Sequence, residues 1–294
     1  MVKDFNLTDA RLILAHYRNE TLPGLIAAKP CESAYDPNEV LELGAKIVKS
    51  YKNSITAVEL YSIFDQLLVA SVHTGDIPRA KLYLTSLENA FPKSSARLIK
   101  LQGLILEANG KFDEAIQLYE TVLRSDLEFM DISKRRIMCF IAKNDHKLAI
   151  DTLVFYLDIY MQDTDAWVTL ANLYTLKGFY HQAAYCWEEL LILRPRQHLY
   201  MLKYADLMAG IEKLDVALKF YCGVIELVKD SVHAWYGIRT ITDCLLEDKS
   251  KATSTQQDTW KSLNTLANKQ ILLLYNTAPP VIKSTVTSWL DLHL

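Results

Sequence analysis

The sequence predicts an all-α chain, a superhelical solenoid of stacked helical hairpins closed by capping helices at its N- and C-terminal ends. Three observations predict it. Glycine and proline are scarce, at 9 and 8 of 294 residues. Apolar residues recur at three- and four-residue spacing between short polar breaks, the period of amphipathic helices, and no stretch reads convincingly as a strand. Alanines return on a fixed beat: Ala115, Ala149, Ala183 and Ala217 stand 34 residues apart, and Ala80 lies 35 before the first.

Taken in order, residues 1–53 read as N-terminal helices and a loop. One helix is expected over about 7 to 19, followed by a loop holding Pro23, Pro30 and Pro37, each of which denies helix to its neighbourhood. The next helix opens at Asp36-Pro37-Asn38-Glu39, with a capping side chain, proline at the first helical position and glutamate three residues after the cap. Residues 54–246 read as an array of five repeats, at 61–95, 96–129, 130–163, 164–197 and 198–231, plus the first helix of a sixth opening at Trp235 and Ile238. Residues 247–258 are predicted to be a polar loop. If an insertion of 16 residues falls around that stretch, Ala267, Ile271, Leu274 and Pro279 return to register. Residues 259–294 then complete and cap the array, with Val281, Val286, Trp289 and Leu290 covering its last apolar face.

Each repeat carries the same phrase around its alanine. Four residues later stands Leu84, Tyr119, Leu153, Trp187 or Tyr221; three earlier, Ile77, Phe112, His146, Tyr180 or Leu214. Five earlier stands Gly75, Gly110, Asn144, Gly178 or Glu212, mostly types that tolerate a turn. A two-helix unit of this period resembles the tetratricopeptide repeat. Residues 164–197 match it most fully, with Trp167, Leu170, Ala171 and Tyr174 on the first helix and Gly178, Tyr180, Ala183, Trp187, Leu190 and the terminating Pro195 on or after the second. Ala171 and Ala183 fall where antiparallel helices approach to about 8–10 Å, so only small side chains fit. Trp167, Tyr174 and Trp187 are expected to fill the wedge towards the next pair.

Composition narrows the function. The 32 basic and 35 acidic residues nearly balance, giving no global electrostatic reason to expect nucleic acid or an anionic membrane as partner. The 5 cysteines, Cys31, Cys139, Cys186, Cys222 and Cys244, are odd in number and widely spaced, which fits reduced buried thiols of a cytosolic or nuclear chain better than a disulfide framework or zinc module. The N-terminus interrupts its apolar residues with charge, unlike a signal peptide. No apolar run approaches the roughly 20 residues of a membrane helix. The sequons at Asn6 and Asn19 read as chance in such a chain. Histidines are scattered, and neither a zinc-protease nor a dinucleotide or phosphate-loop motif occurs. Cys186 and His181 fall on different faces of one helix. The expectation is a non-enzyme with no cofactor, no metal and no small-molecule substrate.

In tetratricopeptide arrays positions 2, 5 and 9 of each first helix line a concave groove. Here these are Arg97, Lys100 and Leu104; Asp131, Lys134 and Met138; Asp165, Val168 and Asn172; and Leu199, Leu202 and Asp206. The predicted groove is basic early and apolar late, suiting a polypeptide with an acidic stretch and an apolar one. Lys134-Arg135-Arg136 reads either as part of that groove or as a solvated face. The lysine-plus-asparagine pairing of chaperone-binding carboxylate clamps is missing, because Leu104 and Met138 follow Lys100 and Lys134 at position 9.

Several phrases resemble one family more closely: FPKSSARLIKLQG (91–103), KFDEAIQLYETVL (111–123), DAWVTLANLY (165–174), YHQAAYCWEEL (180–190) and HLYMLKYA (198–205). They are similar to the second subunit of the endoplasmic reticulum membrane protein complex, over roughly residues 60 to 240. Cys186, His198 and Tyr200 are the specific part, since the repeat does not demand them. The resemblance implies a non-catalytic cytosolic scaffold, peripheral on the cytoplasmic face of the endoplasmic reticulum. It would organise membrane-embedded and cytosolic subunits of an insertase for transmembrane helices, including those of tail-anchored proteins. The repeat alone equally allows a free cytosolic adaptor or co-chaperone binding peptide in its groove. An enzyme using Cys186 is a third reading, which thiol reactivity tests.

Overall fold

A computed structural model describes residues 35–51, 55–124, 129–247 and 253–291, and every regular element among them is an α-helix. The helix expected at 7–19, and Cys31, lie outside the described residues. The chain divides into two compact units, Met1–Met161 and Gln162–Leu294, where the sequence suggested one array over 54–246.

The first unit contains α1 (Pro37–Tyr51), α2 (Ala57–His73), α3 (Ile77–Glu88), α4 (Ala96–Ala108), α5 (Phe112–Leu123), α6 (Met130–Ala142) and α7 (His146–Ile159). Helix α1 begins as its sequence dictates, with Asp36 Oδ1 accepting the Asn38 N–H at 2.9 Å. It packs Val40, Leu41 and Ile47 on Ile63, Leu67 and Ala70 of α2, so it caps the first hairpin. Helix α2 carries a reciprocal Thr56–Glu59 capping box. Thereafter α2/α3, α4/α5 and α6/α7 form hairpins. Leu68, Ala80, Leu87, Leu98 and Leu101 join the first two in one core, and Ile99, Ala115, Tyr119 and Ile132 join the second to α6.

The second unit contains α8 (Thr164–Leu176), α9 (Tyr180–Leu193), α10 (His198–Gly210), α11 (Leu214–Leu227), α12 (Val232–Glu247), α13 (Ser254–Leu274) and α14 (Pro280–Asp291). Its hairpins are α8/α9, α10/α11 and α12/α13. The alanines at 80, 115, 149, 171, 183 and 217 are all fully buried, as contact between close helices requires.

The turn between the helices of each repeat is built the same way five times. Gly75, Gly110, Asn144, Gly178 and Glu212 all have positive φ, between 59° and 78°. The following residue donates its N–H to the carbonyl five positions back, as from Lys111 to Leu106 and from Lys213 to Met208, both at 2.9 Å. This is the Schellman ending, in which a left-handed residue lets the chain reverse while satisfying the last carbonyls. Glu212 adopts it without glycine's freedom, at a cost of about 1 kcal/mol.

The predicted polar loop over 247–258 is corrected at both ends. Helix α12 runs to Glu247 and α13 begins at Ser254, with Thr253 and Gln256 forming its capping box. The first turns of α13 face water at Ser254, Thr255, Gln256, Asp258 and Thr259, so they carry no apolar period, although the cap makes them helical. Further along, Ala267 and Ile271 are fully buried.

Candidate functional site

In the first unit, the predicted groove positions lie on α4 and α6, and ion pairs join them to each other and to α2 rather than leaving them open. Arg97 Nη2 meets Asp65 Oδ2 at 2.5 Å, and Lys100 Nζ meets Asp131 Oδ2 at 2.5 Å. Position 5 of one repeat thus pairs with position 2 of the next, twice. Arg97 is further held by the Tyr61 carbonyl at 3.3 Å and the face of Phe91 at 5.1 Å. Exposed pairs of this kind contribute about 0–1 kcal/mol each, but they neutralise charge that the sequence assigned to a partner. The expected basic groove is therefore corrected: Arg97 and Lys100 are matched by aspartates of neighbouring repeats. Leu104, 8 % exposed, packs in the core between hairpins instead of lining a surface. Lys134 and Met138 are half-buried.

Behind that face Glu107 joins three helices. It accepts Tyr119 Oη at 2.5 Å and Arg135 Nη2 at 2.5 Å. Tyr119 is fully buried against Gly103, where there is no room for a β-carbon. Burial, then the neighbouring Glu107 carboxylate, hold the Tyr119 hydroxyl protonated far above its ordinary range. The middle of the Lys134-Arg135-Arg136 run is thus structural. On the second-helix side, a cleft of about 680 Å³ opens between α3 and α5 over α4, lined by Lys81, Leu84, Gln102, Ile105, Gln117 and Leu118 among others.

The second unit shows a parallel arrangement with different chemistry. Asp206 Oδ1 accepts Tyr221 Oη at 2.6 Å and lies 2.8 Å from His233 Nε2. Leu202, 6 % exposed, is core and not groove, a second correction. Asn172 and Leu199 are exposed. Trp187 is buried and meets Tyr200 of the next hairpin at 5.8 Å, whereas the ring of Trp167 meets Tyr185 of its own hairpin at 6.1 Å. Tyr174 is half-buried and meets Phe179 at 6.3 Å. Tyr180 is corrected: it is 49 % exposed, unlike its counterparts Ile77 and Phe112, which pack against their cores. Pro195 is also exposed and ends α9.

The four described cysteines are free thiols. Cys186 is buried while His181 is exposed, so the two do not form a nucleophile–base pair. Burial pushes the Cys186 thiol up to about 12, helped by the Glu189 carboxylate. Relative to an ordinary thiol it carries on the order of a thousandfold less thiolate at neutral pH. Mass-mapped alkylation of the folded chain at pH 8 is expected to modify Cys244, which is exposed, and to reach Cys186 only after denaturation. Rapid labelling of Cys186 would restore it as a reactive group. Among the described residues no group of three or more histidine, cysteine or acidic side chains is arranged to hold a metal, and no helix is long and apolar enough to cross a membrane.

Comparison with known proteins meets this architecture. The family described as the EMC2 TPR-like repeat domain matches residues 79–214. Subunit 2 of the ER membrane protein complex from Xenopus tropicalis is 28 % identical over 260 residues, covering 87 % of this chain and 86 % of that one. The Dictyostelium discoideum protein of the same name is 32 % identical over 65 % of this chain and 60 % of its own length. The TPR repeat protein oca3 of Schizosaccharomyces pombe is 27 % identical over 72 % of this chain and 77 % of its own. Among solved structures, the C-terminal part of a TPR repeat-containing protein from Cytophaga hutchinsonii superposes with a TM-score of 0.59 at 17 % identity, covering 94 % of this chain and 98 % of that one. That likeness shows the helical-repeat fold. Residues 79–214 thus match the EMC2 TPR-like repeat family, and the chain over most of its length is similar to subunit 2 of the endoplasmic reticulum membrane protein complex.

Proposed function

We propose that this chain is the second subunit of an endoplasmic reticulum membrane protein complex, a peripheral scaffold without chemistry of its own. In this reading it joins membrane-embedded and cytosolic subunits on the cytoplasmic side and supports insertion of transmembrane helices. The observation that carries the reading is the likeness to the Xenopus subunit over most of both chains. The structure lends it physical support. First-helix cations are matched internally, so recognition falls to shape and to apolar contacts such as Leu199 rather than to an acidic peptide tail. This also disfavours a receptor for chaperone carboxylates, since Lys100 is already paired with Asp131.

The test is one purification. A tagged chain drawn from membranes solubilised in gentle detergent is expected to bring multispanning membrane proteins with it in stable stoichiometry. Sedimentation of the native chain alone, with no membrane-protein companion, overturns the reading.

A further inference from the structure

Helix α14 is attached to the second unit by one end. Of its residues 280–290 only Leu290 is buried, with Val286 and Trp289 half-buried, while Val281 is 75 % exposed. A twelve-residue helix is marginal in water by itself, so its order depends on the few contacts it makes with α12 and α13. The connection to α13 is a short turn ending in Pro279-Pro280, spanned by a hydrogen bond of 2.9 Å from Lys283 Nζ to Asn276 Oδ1.

The receiving surface is specific. The Trp289 ring meets Tyr236 edge-on at 5.2 Å, and Tyr236 in turn faces Tyr275 at 6.5 Å. The Arg239 guanidinium stands 5.9 Å from the Trp289 ring centre. Arg239 is 1 % exposed and ion-paired with Asp243. Two tyrosines, a buried cation and its carboxylate form a socket matched to an indole, which gains edge contacts from the rings and cation–π attraction from the guanidinium. Trp, Tyr and Arg are the side chains enriched at the hot spots of protein–protein interfaces. Tyr236 also stands 34 residues after Leu202 and so occupies the equivalent repeat position on α12.

We propose that α14 is a resident ligand of this socket, and that a partner polypeptide presenting an aromatic residue followed by an aliphatic one on a helical turn takes its place. The resident segment specifies the incomer, since the same rings and guanidinium receive either and Leu290 beside Trp289 is buried. Exchange costs little, because α14 gives up one turn of contact and keeps most of its exposed surface unchanged. An empty socket, by contrast, leaves Tyr236 and the Arg239–Asp243 pair uncovered, which favours occupation by one helix or the other.

The experiment uses the full chain and the labelled peptide PVIKSTVTSWLD, the sequence of α14. With Trp289→Ala and Leu290→Ala in the chain, the peptide is expected to bind in trans at least tenfold tighter than to the wild-type chain, whose own helix competes. Adding Tyr236→Ala should abolish that binding, and a peptide carrying Trp289→Ala should bind neither chain. Equal binding to both chains, or none to a vacated chain with unchanged circular dichroism, overturns the proposal. Hydrogen exchange on the wild-type chain gives a second reading that needs no variant. Amides of α14 are expected to exchange ahead of those in α12 and α13, and exchange of all three as one unit also overturns it. No membrane subunit takes part, so failure here leaves the scaffold reading untouched.

Discussion

Trp187→Ala is expected to destabilise the second unit by about 3–5 kcal/mol, the range for an aromatic side chain removed from a packed core. The side chain is buried on α9 and reaches Tyr200 on α10, so its loss empties the seam between two hairpins as well as the interior of one. In repeat proteins stability is close to a sum of hairpin terms and nearest-neighbour seams. Damage at a seam should therefore broaden the urea transition as well as lower its midpoint. Circular dichroism during urea titration reads both. A loss below about 1 kcal/mol, with the transition as steep as before, would mean that the seam does not depend on Trp187.

Gly103→Ala tests the opposite error, one methyl too many. At an ordinary helix interior this substitution stabilises by roughly 0.5–1 kcal/mol, because glycine is the poorer helix former. Here a β-carbon would overlap the ring and hydroxyl of Tyr119, which is fully buried and bonded to Glu107. The tyrosine cannot swing into solvent without breaking that bond and opening the core around Ala115. The expected result is a loss of about 1–3 kcal/mol from overpacking, with a further contribution of about 1 kcal/mol if the hydroxyl loses its acceptor. A double-mutant cycle isolates the cause. With Tyr119→Leu already in place, Gly103→Ala should be neutral or mildly stabilising. A loss of the same size in both backgrounds would remove Tyr119 from the explanation.

The repeat itself was legible because small residues have few uses at a fixed beat. Ala183 and its counterparts mark helix contacts wherever they recur, and the residues five before them mark turns even when, as with Glu212, the type argues against one. The chemistry of the faces was less legible. Arg97 and Lys100 read as free cations because a local window does not contain Asp65 or Asp131, which lie 32 and 31 residues away in sequence. The signal was present nonetheless, as opposite charges offset by nearly one repeat. Leu104 and Leu202 were assigned by position, whereas burial is decided by how the following hairpin leans on each helix. The start of α13 was hidden because its first turns are polar on every side, and a cap at Thr253 substitutes for an apolar stripe. Gly103 gave no local signal, because the hole it leaves is filled by a tyrosine sixteen positions on.

The carboxylate of Glu107, gripped by α5 on one side and α6 on the other, acts as a rivet through consecutive hairpins. If α6 peels away, Glu107 keeps Tyr119 but loses its guanidinium, and a carboxylate only 13 % exposed is stranded. Fraying from that end is thus penalised twice, once for the departing helix and once for the anion it abandons. Asp206, shared by Tyr221 and His233, places the same rivet in the second unit. A chain cut at a hairpin boundary should consequently lose more than the contacts of the missing piece. In that sense α4–α6, and likewise α10–α12, are expected to melt together rather than unzip helix by helix.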